Sequence, residues 1–135
     1  MVDFKKLKIL VLDDEPVVTN ILFSMLDDLG VTSKERFQNA AAATAALDTF
    51  TPNVILSDIE MAGIDGFQFV REARHSHPQV NQAAVVFLTG HSEPGFIKQA
   101  KDLRVAGYLL KPINYEKLRG SLVRVYNALL ASGRL

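Results

Sequence analysis

The strongest constraint on the fold is the alternation of short aliphatic runs with longer stretches of helical periodicity. The aliphatic runs cover residues 7–12, 54–56, 83–88 and 108–110, and a weaker, more polar strand is predicted at 32–37. Between the first run and this polar strand, Val18, Leu22 and Met25 recur at helical spacing before Gly30. Continuous aliphatic runs are typical of parallel strands that helices cover on both faces. The sequence therefore predicts an α/β fold.

Five strands alternating with five helices predict a flavodoxin-like, doubly wound, five-stranded parallel sheet. Connections between parallel strands are almost always right-handed, which leaves few topologies. The order 2-1-3-4-5 places the polar strand 32–37 at an edge and the aliphatic first and third strands inside. The alanine-rich stretch 40–50 predicts a packed helix, and Ser92 is expected to cap a later helix. Residues 1–135 are expected to form a single domain with no output domain visible.

Composition excludes several kinds of partner and chemistry. The 15 Lys and Arg residues balance the 15 Asp and Glu residues, which argues against direct nucleic acid binding or attraction to an anionic membrane. The absence of cysteine excludes disulfide and thiolate chemistry. No apolar run approaches the ~20 residues needed to cross a bilayer. We therefore expect a cytoplasmic location.

Reactive side chains follow four of the predicted strands, at the point where each strand ends. They are Asp13 and Asp14 after the first strand, Asp58 after the third, Thr89 after the fourth and Lys111 after the fifth. The carboxyl ends of parallel strands meet at one edge of the sheet, where such folds bind ligands. We therefore expect these side chains to share one cleft.

The chemistry of this residue set favours phosphoryl transfer. Three neighbouring carboxylates must share protons or bind a cation, and an oxygen-only ligand set favours Mg²⁺ or Mn²⁺. The Lys111 ammonium and the Thr89 hydroxyl can complete a cradle for a phosphoryl group, whose transfer depends mainly on positioning and charge neutralisation. An aspartate carboxylate can serve as the nucleophile.

Four strings carry a family resemblance: VLDDEP, VILSDIEMAGIDGF, FLTG and GYLLKP. In this order, over nearly the whole chain, they resemble the CheY-like receiver domain of bacterial two-component response regulators. The resemblance implies that Asp58 is the phosphoacceptor and that Asp14 binds the metal directly. It also implies that Asp13 holds the metal mainly through water and that the backbone carbonyl of Glu60 is a further ligand.

The resemblance also implies a switch. Thr89 and Lys111 would contact the phosphoryl oxygens, Tyr108 would change rotamer on activation, and the Lys111–Pro112 bond would be cis. The implied donor is a histidine kinase or phosphotransfer protein, and the implied recipient is a downstream protein target or a fused output domain. Such a domain is not an enzyme, although it promotes its own phosphorylation and dephosphorylation. Partner binding, or a homodimer, is expected on the face of the fourth helix, fifth strand and fifth helix.

Four positions near the predicted site vary in the resembled family. Ala62 stands where proline is common and Gly90 where alanine or serine is common, so both loops are expected to be looser. Glu60 and His91 flank the site, and we hypothesise that they tune dephosphorylation by controlling water near the acyl phosphate.

Two other functions remain open. One is a phosphorylation-independent adaptor on the same fold. The other is an aspartate-nucleophile phosphatase, for which Glu60 offers a second acid two residues after Asp58. For the acidic residues 13–15, the alternative interpretation is helix capping. His75 and His77 are interpreted as a solvated helix end, because no other metal ligands lie near them in the sequence.

Overall fold

The computed structural model describes residues 1–90 and 94–135, so His91 and the predicted cap Ser92 lie outside the described residues. The sheet has five strands: β1 (Lys8–Leu12), β2 (Ser33–Phe37), β3 (Val54–Asp58), β4 (Ala84–Thr89) and β5 (Gly107–Leu110). All neighbouring pairs are parallel, in the order β2-β1-β3-β4-β5. The predicted fold class and strand order are confirmed.

Five α-helices connect or follow the strands: α1 (Pro16–Leu29), α2 (Ala40–Ala46), α3 (Gly66–Ser76), α4 (Pro94–Asp102) and α5 (Tyr115–Ala131). The side chains of Asn39, Asp65 and Asn114 cap α2, α3 and α5 by accepting a backbone N–H from the first turn. Each such cap typically stabilises a helix by about 1 kcal/mol. Helix α1 ends at Gly30, whose φ of +92° suits a left-handed C-terminal cap.

Helix α2 is shorter than the sequence predicted. It ends at Ala46, and residues 47–49 form a turn in which Leu47 N donates to Thr44 O and Phe50 N donates to Ala46 O. Asp48 and Thr49 have lower helix propensity than the alanines before them. Two short 3-10 helices, Phe4–Lys6 and Pro78–Gln82, were not predicted from periodicity.

The sheet separates two hydrophobic cores, because successive side chains of a strand point to opposite faces. On one face, Ile9 and Val11 pack with buried residues of α1 and α5. On the other face, Leu10 and Leu12 pack with buried residues of α2, α3 and α4. β1, β3 and β4 are buried almost throughout, which explains their continuous aliphatic sequences.

The two edge strands differ from the buried ones. β2 contains no buried residue, and it lies at the sheet edge that its polar sequence predicted. β5 forms the other edge and exposes Tyr108 and Leu110. Within the described ranges, no helix is both long enough and apolar enough to cross a membrane.

Candidate functional site

The strand register brings the predicted site residues to one edge of the sheet. Leu12 pairs with Ser57, so Asp13 follows in register with Asp58, the last residue of β3. Thr89 ends β4, and its carbonyl accepts a hydrogen bond of 2.7 Å from the backbone N–H of Lys111. The predicted convergence of these residues is therefore seen in the fold.

Lys111 lies at the centre of the acidic side chains. Its Nζ is 2.8 Å from Asp13 Oδ2, 3.0 Å from Glu15 Oε1 and 3.4 Å from Asp58 Oδ1. Burial opposes the charge on Lys111, but the surrounding carboxylates outweigh that effect and raise its pKa. This side chain is therefore a fixed cation at every physiological pH.

Asp58 is buried and only 3% exposed. Burial and the neighbouring Asp13 charge raise the pKa of Asp58 to about 6, while Lys111 and the backbone N–H of Glu60 limit the rise. Glu60 N donates to Asp58 Oδ1 across 3.3 Å. Near neutral pH, Asp58 is thus a carboxylate held in a site that partly disfavours its charge.

The acidic residues fit a hard divalent cation. Carboxylate oxygens of Asp13, Asp14, Glu15 and Asp58 all lie within 4.8 Å of one another. Asp13 Oδ2 is fully buried and pairs with Lys111 Nζ at 2.8 Å. Four acids around one ammonium leave an excess of negative charge that a cation would compensate, and an oxygen-only ligand set suits Mg²⁺ or Mn²⁺.

The loop between β3 and α3 closes tightly over the site. A Cβ on Gly66 would lie 2.2 Å from the backbone oxygen of Asp58, and Gly66 N donates to Ile59 O at 2.7 Å. Across the site, the backbone N–H of Ala62 donates to Asp14 Oδ2 at 3.2 Å. A proline at position 62 would lack this donor. Whether Ala62 loosens the loop remains a prediction.

Glu15 and Gly66 are site residues that the sequence analysis missed. Glu15 is the N-cap residue of α1, but its side chain makes no capping hydrogen bond and contacts Lys111 instead. The signal was available, because Glu15 directly follows two acidic residues. The alternative interpretation of residues 13–15 as helix caps is not supported: Asp13 Oδ1 accepts the backbone N–H of Glu15 at 2.9 Å, but Glu15 precedes the first turn of α1.

The predicted switch residues Thr89 and Tyr108 border the same small cleft. Its other lining residues are apolar and come from the end of β3, from β4 and from α4: Ile59, Phe87, Phe96, Ile97 and Ala100. Thr89 is buried, whereas Tyr108 is 44% exposed. Glu60 is exposed beside Asp58, and His91 lies outside the described residues. Thr89 and Tyr108 therefore lie at the same cleft, while their role as switch residues stays a prediction.

The structure also bears on the expected cis bond before Pro112 and on the two histidines at the end of α3. The Lys111–Pro112 peptide bond is cis. Of the two histidines at the end of α3, His75 is exposed, but His77 is half-buried and its Nε2 lies 2.8 Å from Asp48 Oδ1. Within residues 1–90 and 94–135, three or more metal-type ligands converge only at the acidic edge.

Comparison with known proteins agrees with this geometry. The family model described as the response regulator receiver domain matches residues 9–123. NtrC of Escherichia coli is 32% identical over 107 residues, which are 79% of this chain and 22% of NtrC. The transcriptional regulatory protein YesN of Bacillus subtilis is 28% identical over 120 residues, 87% of this chain and 32% of YesN. The chain thus spans less than a third of these two longer relatives.

Other similar proteins match over almost their whole length. A probable chemotaxis protein CheY of Rhizobium etli is 25% identical over 93% of this chain and 96% of its own. Among solved structures, chemotaxis protein CheY4 of Vibrio cholerae superposes with a TM-score of 0.82 at 29% identity. That match covers 88% of this chain and 98% of CheY4.

Proposed function

The chain belongs to the response regulator receiver domain family, and we propose that it accepts a phosphoryl group on Asp58. Receiver domains are signalling domains that interact with histidine kinases and output domains. The observation that carries the proposal is the position of Asp58, a buried carboxylate with Lys111 Nζ at 3.4 Å and three further acids beside it.

The proposed donor is the phosphohistidine of a histidine kinase or of a phosphotransfer protein. An Asp58 carboxylate oxygen forms the new bond to phosphorus, the phosphorus–nitrogen bond of the donor breaks, and the imidazole leaves. The pKa of about 6 leaves Asp58 mostly ionised at neutral pH, as a nucleophile requires. Lys111 and the Thr89 hydroxyl hold the equatorial phosphoryl oxygens in this proposal.

The proposed metal is Mg²⁺ or Mn²⁺. Asp14 and Asp58 would hold it directly, Asp13 mainly through water, and the Glu60 carbonyl would be a further ligand. The excess of four acids over one ammonium at this edge supports this assignment. When bound, the ion supplies positive charge that offsets the charge on the transferring group. Glu60 and His91 remain proposed tuning residues for the lifetime of the acyl phosphate.

Phosphorylation is proposed to act by a population shift between two conformations. Thr89 would move toward the phosphoryl group, and Tyr108 would turn from its exposed position into the apolar cleft that both residues border. This movement would remodel the surface of α4, β5 and α5, where a target protein, a fused output domain or a second copy of the chain would bind. Residues 1–135 are proposed to act as one receiver domain in the cytoplasm.

The test is intact mass after incubation with acetyl phosphate, with and without Mg²⁺. We expect one phosphoryl adduct, about 80 Da by the mass of the group, that depends on metal and is absent in Asp58→Asn. Asp65→Asn is the matched control, because it removes a nearby carboxylate that caps α3 and is outside the acidic cluster. An adduct that persists in Asp58→Asn would show that Asp58 is not the acceptor.

Two other outcomes would favour the alternative functions. A folded protein that takes no adduct, beside a control receiver that does, would indicate a phosphorylation-independent adaptor. Many turnovers of a small phosphate ester per protein would indicate a phosphatase.

A further inference from the structure

A polar cavity lies at the edge of the sheet where the strands begin, opposite the edge that carries Asp58. It is bounded by the start of β4, the segment before β5 and the second half of α5. Its volume is about 660 Å³, within the range of pockets that bind small molecules. None of the proposed phosphorylation residues lines it, so this cavity is independent of the proposed function.

Four of the seven arginines in the sequence line this one cavity: Arg74, Arg104, Arg124 and Arg134. Because the chain as a whole has zero net charge, this concentration of positive charge is local. Within the described residues, none of the four guanidinium groups pairs with a carboxylate within 4.0 Å. The positive charge of the cavity is therefore not offset by a described carboxylate and is available to an anionic ligand.

Arg74 is the least exposed of the four cavity arginines. Its Nη1 donates to Leu103 O, but its Nε is buried and has no hydrogen-bond partner in the described part of the chain. Burial lowers the pKa of Arg74, because the charged form loses hydration there. An anion in the cavity would supply countercharge to this partly buried guanidinium, which has no carboxylate partner among the described residues.

The rest of the cavity wall is mixed. Asn81, Ser121 and Ser132 are polar, and the accessible apolar residues Leu103, Ala106 and Ala128 form an apolar wall. A second groove meets the cavity at Ala83 and Arg134 and adds Lys5, Lys6 and Lys8 to the positive charge of this edge. Guanidinium groups match phosphate oxygens in pairs and stack on flat rings.

We propose that this cavity binds a phosphate-bearing small molecule of nucleotide size. The arginines contact the phosphate groups, and the apolar wall formed by Leu103, Ala106 and Ala128 contacts the ring.

The experiment is calorimetric titration of the full chain with ADP and with inorganic pyrophosphate, at fixed ionic strength and with a chelator present. We expect saturable one-site binding of ADP, and weaker binding of pyrophosphate, which lacks the ring. Arg124→Gln should weaken ADP binding about tenfold, the effect of losing one charged hydrogen bond. Arg119→Gln is the matched control, because Arg119 lies on the same helix, is exposed and does not line the cavity.

Arg104→Gly separates ligand binding from stability. Arg104 has a φ of +55°, a left-handed conformation that glycine adopts without penalty. This variant should unfold at the same or higher urea concentration and yet bind ADP about tenfold more weakly.

Three results would overturn the proposal. The first is that neither probe binds at millimolar concentration. The others are that Arg119→Gln weakens ADP binding as much as Arg124→Gln does, or that Arg104→Gly leaves ADP affinity unchanged. Pyrophosphate binding as tightly as ADP would refute the role of the apolar wall and so the nucleotide-sized ligand. Affinity that rises steadily with the length of a single-stranded oligonucleotide would make this edge a nucleic acid surface instead.

Discussion

Asp58→Asn should stabilise the metal-free protein increasingly as the pH rises. The folded-state pKa of Asp58 is about 6, above its ordinary value of 3.8, because burial and Asp13 disfavour its charge. Between those two values, the folded state binds more protons than the unfolded state, so stability falls as the pH rises. Asparagine cannot ionise, and the variant therefore escapes this loss.

The magnitude follows from the size of the pKa shift. A shift from 3.8 to about 6 corresponds to about 3 kcal/mol at 1.36 kcal/mol per pH unit. About 2 kcal/mol of this falls between pH 4.5 and pH 7.5, because part of the titration lies below that window. The change in unfolding free energy caused by the substitution is compared between the two pH values, so any effect on packing that does not depend on pH cancels.

The assay is urea unfolding of wild type and Asp58→Asn at pH 4.5, 6 and 7.5 in chelator. The variant's advantage in unfolding free energy should grow by about 2 kcal/mol over this range. Asp28→Asn, which removes an exposed carboxylate of α1, controls for the loss of one negative charge. A difference independent of pH, or one that shrinks as the pH rises, would refute the electrostatic reasoning.

Two further predictions concern the same edge of the sheet. Lys111→Gln leaves the buried Asp13 and Asp58 carboxylates without their cation. It should lower the unfolding free energy at neutral pH by about 2–3 kcal/mol, a loss that millimolar Mg²⁺ largely restores; urea unfolding with and without the ion tests this. Gly66→Ala forces Cβ against the Asp58 carbonyl and should cost about 2 kcal/mol or more in the same assay. Gly120→Ala, inside α5 with only an ordinary side-chain contact, is its control and should be neutral or stabilising by up to about 1 kcal/mol; equal effects of the two glycine substitutions would contradict the argument.

The order of the elements and of the strands was determined by the sequence alone. Aliphatic runs and helical spacing are local patterns, and few right-handed topologies accommodate five alternating units. The convergence of Asp13, Asp58, Thr89 and Lys111 also followed from sequence, because strand ends in a parallel sheet share one edge. The shortened α2 did not follow, since its end depends on weak propensities over a few residues.

Only the tertiary structure decided the electrostatics of the site. That Lys111 contacts Glu15 as well as Asp13 and Asp58 depends on atomic positions that are set only when the strand ends and the start of α1 are packed together. The closeness of Gly66 to the Asp58 carbonyl depends likewise on how the loop folds back. Burial and separation set a pKa, and neither is encoded in the spacing of residues along the chain.

The arginine cavity likewise could not be predicted from the sequence and is apparent only in the tertiary structure. The sequence states only that positive and negative charges balance, and the four arginines lie on α3, before β5, on α5 and after it. Packing of the final helix against the sheet brings them around one space. Local periodicity therefore determines which elements form and in what order. Close packing between elements far apart in sequence determines which charges meet, because side-chain separation and exclusion of water arise only when those elements are assembled.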